Sequence, residues 1–387
     1  MQIKIFRQRA VPAIAALALV AATGAAAPTW TLLPTVPLPT GAVNSQLLAA
    51  TTTGHDLWTG GAWWDKSGVH PFVAHWEGGS WKTPALPTLP PDSYVSGLDA
   101  LGAADVWAVG SAVTVPGQTA PVTPSVLHFD GSAWRTVPTP PLPAGTAVDL
   151  DAIDMRSASD GWAVGEASTG TLAQPLILRR QGGQWTGSPI PKTAAVAGRL
   201  AAVAAVAADE VWAAGTEIDA SGAAQALLLH FDGTAWSRAD LPAPAGTTLN
   251  AVTAAGPGDV WAAGRTCTVI CAPAVWHRTA SGWQPVPAAG GTEVTALVAF
   301  APDDVWTLGY QLLANNRRAD HVEHWDGKQL TAESTGLPPV PSGGGSQGEL
   351  GSATPIFAAA GVAAAGELWA VGWSDPPAVA PRAIHRG

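Results

Sequence analysis

One six-residue motif recurs seven times along this chain. DVWAVG at 105–110 returns as DLWTGG (56–61), DGWAVG (160–165), EVWAAG (210–215), DVWAAG (259–264), DVWTLG (304–309) and ELWAVG (367–372). The central tryptophans are Trp58, Trp107, Trp162, Trp212, Trp261, Trp306 and Trp369, spaced by 49, 55, 50, 49, 45 and 63 residues. An acid stands two positions before each anchor and a glycine three positions after it. Repetition at this period marks a stacked or radial array, in which each unit buries its apolar face against the next.

A second column follows the first. HFDGSAW (128–134) returns as HWEGGSW (75–81), RRQGGQW (179–185), HFDGTAW (230–236), HRTASGW (277–283) and HWDGKQL (324–330), the last with Leu330 in place of tryptophan. The seventh unit stops at HRG (385–387). Its missing piece lies at the other end, where TWTLLPTVPLPTG from Thr29 matches AWRTVPTPPLPAG from Ala133. The start of the mature chain is therefore expected to complete the last unit and close a ring, which removes the open sheet edges of a linear array.

Each unit divides into four short β-compatible segments separated by turn residues, as in 249–255, 259–265, 272–278 and 282–287 of the fifth. Repeated and closed, this predicts an all-β fold: a seven-bladed β-propeller of four-stranded antiparallel blades, spanning 27–387. A six-bladed ring with extra strands is the rival.

Residues 1–26 read as a secretory signal peptide: Lys4, Arg7 and Arg9, then an apolar run over 10–22, then Ala25–Ala27. The apolar run is short of the ~20 residues that a spanning helix needs, so no membrane span is expected in the mature chain. In an exported protein the only two cysteines, Cys267 and Cys271, are expected to form a disulfide, with half of a metal site as the alternative. A hydrophobic content of 47% is enough for a large core and argues against disorder. A net charge of −10 argues against nucleic-acid or anionic-membrane binding.

The D-G-x-x-W hairpins resemble the Asp-box of sialidase-type propellers, although that pattern keeps a residue between Asp and Gly. The paired tryptophan columns resemble tectonin-repeat lectins, a family of sugar-binding propellers. Kelch propellers share the ring and the two aromatic columns, but not a regular Gly-Gly pair here. The resemblance is architectural and implies no single activity. The arginine cluster and tyrosine of sialidases, and the cysteine-linked tyrosine of the kelch-type copper oxidase, have no match.

Residues present once per blade are read as scaffold. The anchors are expected to fill the wedges between blades, and the acids to accept backbone N–H groups in the turns after the first strands. The column His75, His128, His230, His277, His324 and His385 is spread around the ring, so no metal or other cofactor is expected. Function is then sought where the repeat breaks, on the face bearing the long connections between second and third strands and between blades. Trp63, Trp64, Tyr310 and Trp373 lie just past the anchors of units one, six and seven, which closure makes neighbours. Other units have Ser111, Glu166, Thr216 or Arg265 at this exit. Arg317, Arg318 and His321 add polar groups in the same sector.

These seven residues predict a non-catalytic, monomeric propeller that binds a glycan or an extracellular protein by stacking and hydrogen bonds. The alternatives are a glycan hydrolase or lyase using Asp65 and Asp320 with His321, and a purely structural surface protein. The acids Asp149, Asp151 and Asp154 are a candidate calcium site or a solvated strand edge.

Overall fold

The structure is a computed structural model that describes residues 29–112, 124–141, 146–170, 172–314, 317–341, 357–362, 367–374 and 380–386. The signal-peptide reading of 1–26 lies outside these residues. Seven antiparallel sheets follow one another around a ring. Blade 1 consists of Asn44–Thr53, Asp56–Asp65, Gly68–Glu77 and Ser80–Lys82, from the axis outwards. Blade 7 consists of Phe357–Val362, Leu368–Ser374 and Ala380–Arg386, with Trp30–Leu32 as its outermost strand. Trp30 pairs with Arg386, Thr31 with His385 and Leu32 with Ile384, so the two ends of the chain close the ring. Each innermost strand contacts the next, including Phe357–Val362 with Asn44–Thr53 across the closing junction. Blade 6 gains a fifth, two-residue strand, Val340–Pro341, paired to Arg317 and Arg318.

The glycine of the repeat has a steric cause. The innermost strand of every blade carries a register shift, as between Leu150 and Ala152 opposite Gly165. An extra residue there bends the strand and turns a carbonyl inward. A Cβ on Gly165 would lie 2.0 Å from the Asp149 carbonyl oxygen, and one on Gly61 1.9 Å from that of Gln46. Only glycine fits beneath the bulge.

In blades 2, 5 and 6 the acid, the tryptophan and the histidine form one unit. Asp105 accepts the Trp107 indole N–H at 2.9 Å and faces His128 Nε2 at 2.8 Å, while His128 stacks on Trp107 at 4.3 Å. Asp259, Trp261 and His277, and Asp304, Trp306 and His324, repeat this arrangement. In these three blades the acid holds ring nitrogens of its own blade in place of the turn's backbone N–H groups, whereas Glu210 of blade 4 does accept a backbone N–H, that of Gly258, and Asp160 of blade 3 pairs with Arg156. In blade 3, where Arg179 replaces histidine, the guanidinium covers Trp162 at 4.9 Å instead.

The second column joins neighbouring blades. Trp134 of blade 2 meets Trp58 of blade 1 edge to face at 5.9 Å, and Trp236 of blade 4 meets Trp162 of blade 3 at 5.2 Å. These wedges of aromatic surface form the core.

Candidate functional site

The connections between second and third strands and between blades leave the sheets on one face, but among the described ones two are short. In blade 5 only Thr268, Val269 and Ile270 join the second and third strands. In blade 1 the second and third strands are joined by Lys66 and Ser67 alone, since Asp65 already pairs with Gly68. On this face the residue before each bulge and the residue after each anchor glycine stand opposite one another: Gln46 and Ala62, Tyr94 and Ser111, Asp149 and Glu166, Arg199 and Thr216, Thr248 and Arg265, Glu293 and Tyr310. The flanking positions are held by the scaffold, yet this row changes in every blade. It forms the inner rim of the long-loop face.

Two polar networks occupy the rim. Across blades 2–4, Tyr94 Oη donates to Asp149 Oδ2 at 2.7 Å, and Arg199 donates to Asp151 Oδ1 at 2.9 Å. Burial, then the neighbouring Asp149 carboxylate, push the Tyr94 phenol far above its usual range. Burial also raises Asp151, opposed by Arg199 and reinforced by Asp149 and Glu166. Glu166 is raised for the same leading reason.

Across blades 5–6, Glu293 is the hub. It accepts from Asn250 at 2.7 Å, from Arg265 at 3.0 Å and from Tyr310 Oη at 2.9 Å. Burial and the Glu293 carboxylate raise Tyr310 to about 12. Arg318 lies over the Tyr310 ring at 4.8 Å.

The proposed sector divides into three surroundings. Trp63 stacks on His70 at 4.1 Å, and His70 Nε2 lies 2.9 Å from Asp65 Oδ1. Trp63 and Trp64 are both half-buried. Tyr310 is buried at 4% exposure, with Arg318 on one side and Glu293 at its hydroxyl. Arg317 donates to the Pro339 carbonyl. His321 Nε2 lies 2.7 Å from Glu323 Oε1, which also accepts the Gly290 N–H at 2.9 Å. Trp373 pairs with Pro381 in the blade 7 sheet, and its side chain lies outside the described residues.

The alternative catalytic set is not assembled. Asp65 is tied to Ser67 and His70 in its turn. Asp320 faces Thr335 at 3.3 Å and Arg382 of blade 7 at 3.7 Å, while His321, its neighbour on the strand, points the other way to Glu323. Burial raises Asp320 to about 6, opposed by Arg382. The acidic run is also split. Asp154 accepts the Ala205 N–H of blade 4 at 3.0 Å, just as Asp99 accepts that of Met155 at 2.8 Å, so both latch neighbouring blades. Among the described residues no group of three or more His, Cys, Asp or Glu is arranged to hold a metal ion.

Cys267 and Cys271 are bonded at the end of the blade 5 hairpin, where they face each other in register. The loop they close presents Val269 and Ile270 to solvent at 99% and 83% exposure. No described helix is long and apolar enough to cross a membrane. The exit residues could be found in the sequence from their place after the repeated glycine. Their inner-strand partners Tyr94, Arg199 and Glu293 were missed, although they too stand at a fixed offset, one residue ahead of the apolar position facing that glycine.

No family model and no curated protein matches the chain. Solved structures do resemble it. The Hadza microbial sialidase Hz136 aligns with 86% of this chain and 74% of its own at 12% identity and a TM-score of 0.51. The sialidase of Trypanosoma rangeli aligns at 12% identity and a TM-score of 0.48, covering 93% of this chain, which spans only 59% of that protein. The six-bladed fucose-binding lectin of Aleuria aurantia aligns at 14% identity and a TM-score of 0.46, covering 80% of this chain and all of the lectin. At such identities the likeness is one of fold: this chain is a seven-bladed β-propeller of no identified family.

Proposed function

We propose that this is an exported, non-catalytic propeller, monomeric, that binds a glycan or an extracellular protein through the long-loop face in the sector of blades 6, 7 and 1. The observation that carries the reading is the Trp63–His70–Asp65 stack, a half-buried aromatic plane held from behind at the end of blade 1. A preorganised ring of this kind offers contact area at low entropic cost. The leader-like residues 1–26 and the Cys267–Cys271 disulfide support export. A hydrolase or lyase on the same face would need Asp65, Asp320 and His321 to converge, and their side chains engage separate partners.

The test is a glycan array and an extracellular pull-down with the exported chain and its Trp63→Ala, Trp64→Ala and Trp373→Ala variants. Binding should fall at least tenfold while Tm moves by less than about 3 °C. Unfolding of the variants would instead make these rings closure packing.

A further inference from the structure

The sixth copy of the second column departs from its Asp-Gly counterparts in blades 2 and 4 at three consecutive positions. Blades 2 and 4 read Asp130-Gly131-Ser132-Ala133-Trp134 and Asp232-Gly233-Thr234-Ala235-Trp236, whereas blade 6 reads Asp326-Gly327-Lys328-Gln329-Leu330. The turn itself is unchanged. Asp130 Oδ1 accepts the N–H groups of Ser132 and Ala133, both at 3.0 Å, and Asp326 Oδ1 accepts those of Lys328 and Gln329 at 2.9 and 3.0 Å. The middle glycines share a left-handed backbone, with φ of 87° at Gly131 and 88° at Gly327. The scaffold is therefore conserved within the chain while three side chains are exchanged.

All three exchanged side chains line one groove between the outer strands of blades 5 and 6, of about 620 Å³. That volume lies within the roughly 300–1,000 Å³ of small-ligand sites. At the corresponding wedges Trp134 and Trp236 stand edge-on to the preceding anchor. Here the shorter Leu330 leaves the space open. Trp325, from the adjacent strand, covers Trp261 at 5.2 Å instead and is itself half-buried, with its indole N–H held by the Pro302 carbonyl. The groove thus has an apolar wall of Trp325, Val286 and Leu330. Its rim has the exposed amides of Gln284 and Gln329 and the exposed ammonium of Lys328, whose backbone N–H is held by Asp326.

We propose that this groove is a second binding site, for a carboxylate-bearing pyranoside such as a uronic-acid unit of an acidic polysaccharide. The C–H face of a pyranose lies against an indole, its hydroxyls pair with amides, and a ring carboxylate is met by a point-charge ammonium. The site is independent of the long-loop face.

The test titrates the full exported chain with tetragalacturonate and with neutral galactotetraose by calorimetry. Tetragalacturonate should bind at least tenfold more tightly. Lys328→Ala should erase that preference and leave neutral binding unchanged. The triple variant Lys328→Ser, Gln329→Ala, Leu330→Trp restores the repeat and fills the groove, so it should abolish binding of both with Tm unchanged or raised. Trp63→Ala with Trp64→Ala should leave tetragalacturonate binding intact. The proposal is overturned by absence of tetragalacturonate binding to the unmodified chain, by equal affinity for the neutral sugar, or by undiminished binding to the triple variant.

Discussion

Trp30 meets Trp306 edge to face, with ring centroids 6.5 Å apart and planes at 78°, although 276 positions separate them in the numbering. It is the contact that Trp134 makes with Trp58, formed here by the opposite end of the chain. The Trp30 indole N–H also donates to Glu333 at 2.8 Å, and Glu333 pairs with Arg386 of the same closing blade. Blades 6 and 7 are thus held by the first described strand.

Trp30→Ala should therefore destabilise the whole ring. A cost of about 2–3 kcal/mol is expected, below the roughly 3–5 of a fully buried tryptophan, since the ring stays partly exposed. Urea unfolding checks this, and Trp30→Phe should recover part of the loss. An unchanged midpoint would mean that closure does not rest on this strand.

Gly165→Ala should be far worse than its chemistry suggests. The new methyl would stand 2.0 Å from the Asp149 carbonyl oxygen, so backbone has to move, at about 3 kcal/mol or more. Gly102→Ala, also in a strand but with nothing within 4 Å, should change stability by less than about 1 kcal/mol. Thermal melts of the two variants side by side distinguish a steric requirement from a general intolerance of alanine.

Acid should weaken the fold in part through its Asp-Gly turns. The Thr234 hydroxyl and the backbone N–H groups of Ala235 and Thr234 hold Asp232 down to about 2. A folded value below the unfolded one, near 4, gives stability that is fully present above pH 4 and lost as pH falls through 2. Asp232→Asn should therefore lower stability at pH 7 and flatten its decline between pH 4 and 2. Denaturant midpoints across that range provide the measurement.

Asp320 should titrate in the opposite sense. Burial raises it to about 6, and Arg382 at 3.7 Å restrains the rise. Its ionisation thus costs stability that is present below pH 4 and lost as pH climbs through 6. Carboxyl carbon NMR should follow this titration, and Arg382→Met should move it higher still. A midpoint near 4 in the unmodified chain would contradict the burial of this group.

Opening Cys267–Cys271 should have only a local effect. The bond closes a very short loop, worth about 2 kcal/mol at most on chain entropy. The double Cys→Ser variant should lose no more than this in equilibrium unfolding, with the Trp63 region unaltered in its fluorescence.

Sequence alone determined the ring: seven anchors, a second aromatic column and a terminus that completes the last unit admit few other architectures, because period and column spacing report directly on strand count and burial. It also located the exit residues Trp63, Trp64, Tyr310 and Trp373 by their offset from a repeated glycine. Only the tertiary structure decided what those residues touch. Tyr310 belongs to a buried network around Glu293, Asp320 and His321 turn to opposite sides of one strand, and Leu330 leaves a groove that Trp325 lines. The physical reason is that the deciding contacts cross from blade to blade, as Asn250 and Arg265 with Glu293, Asp320 with Arg382 and the groove between blades 5 and 6, and pairings across blades leave no periodic trace along the chain.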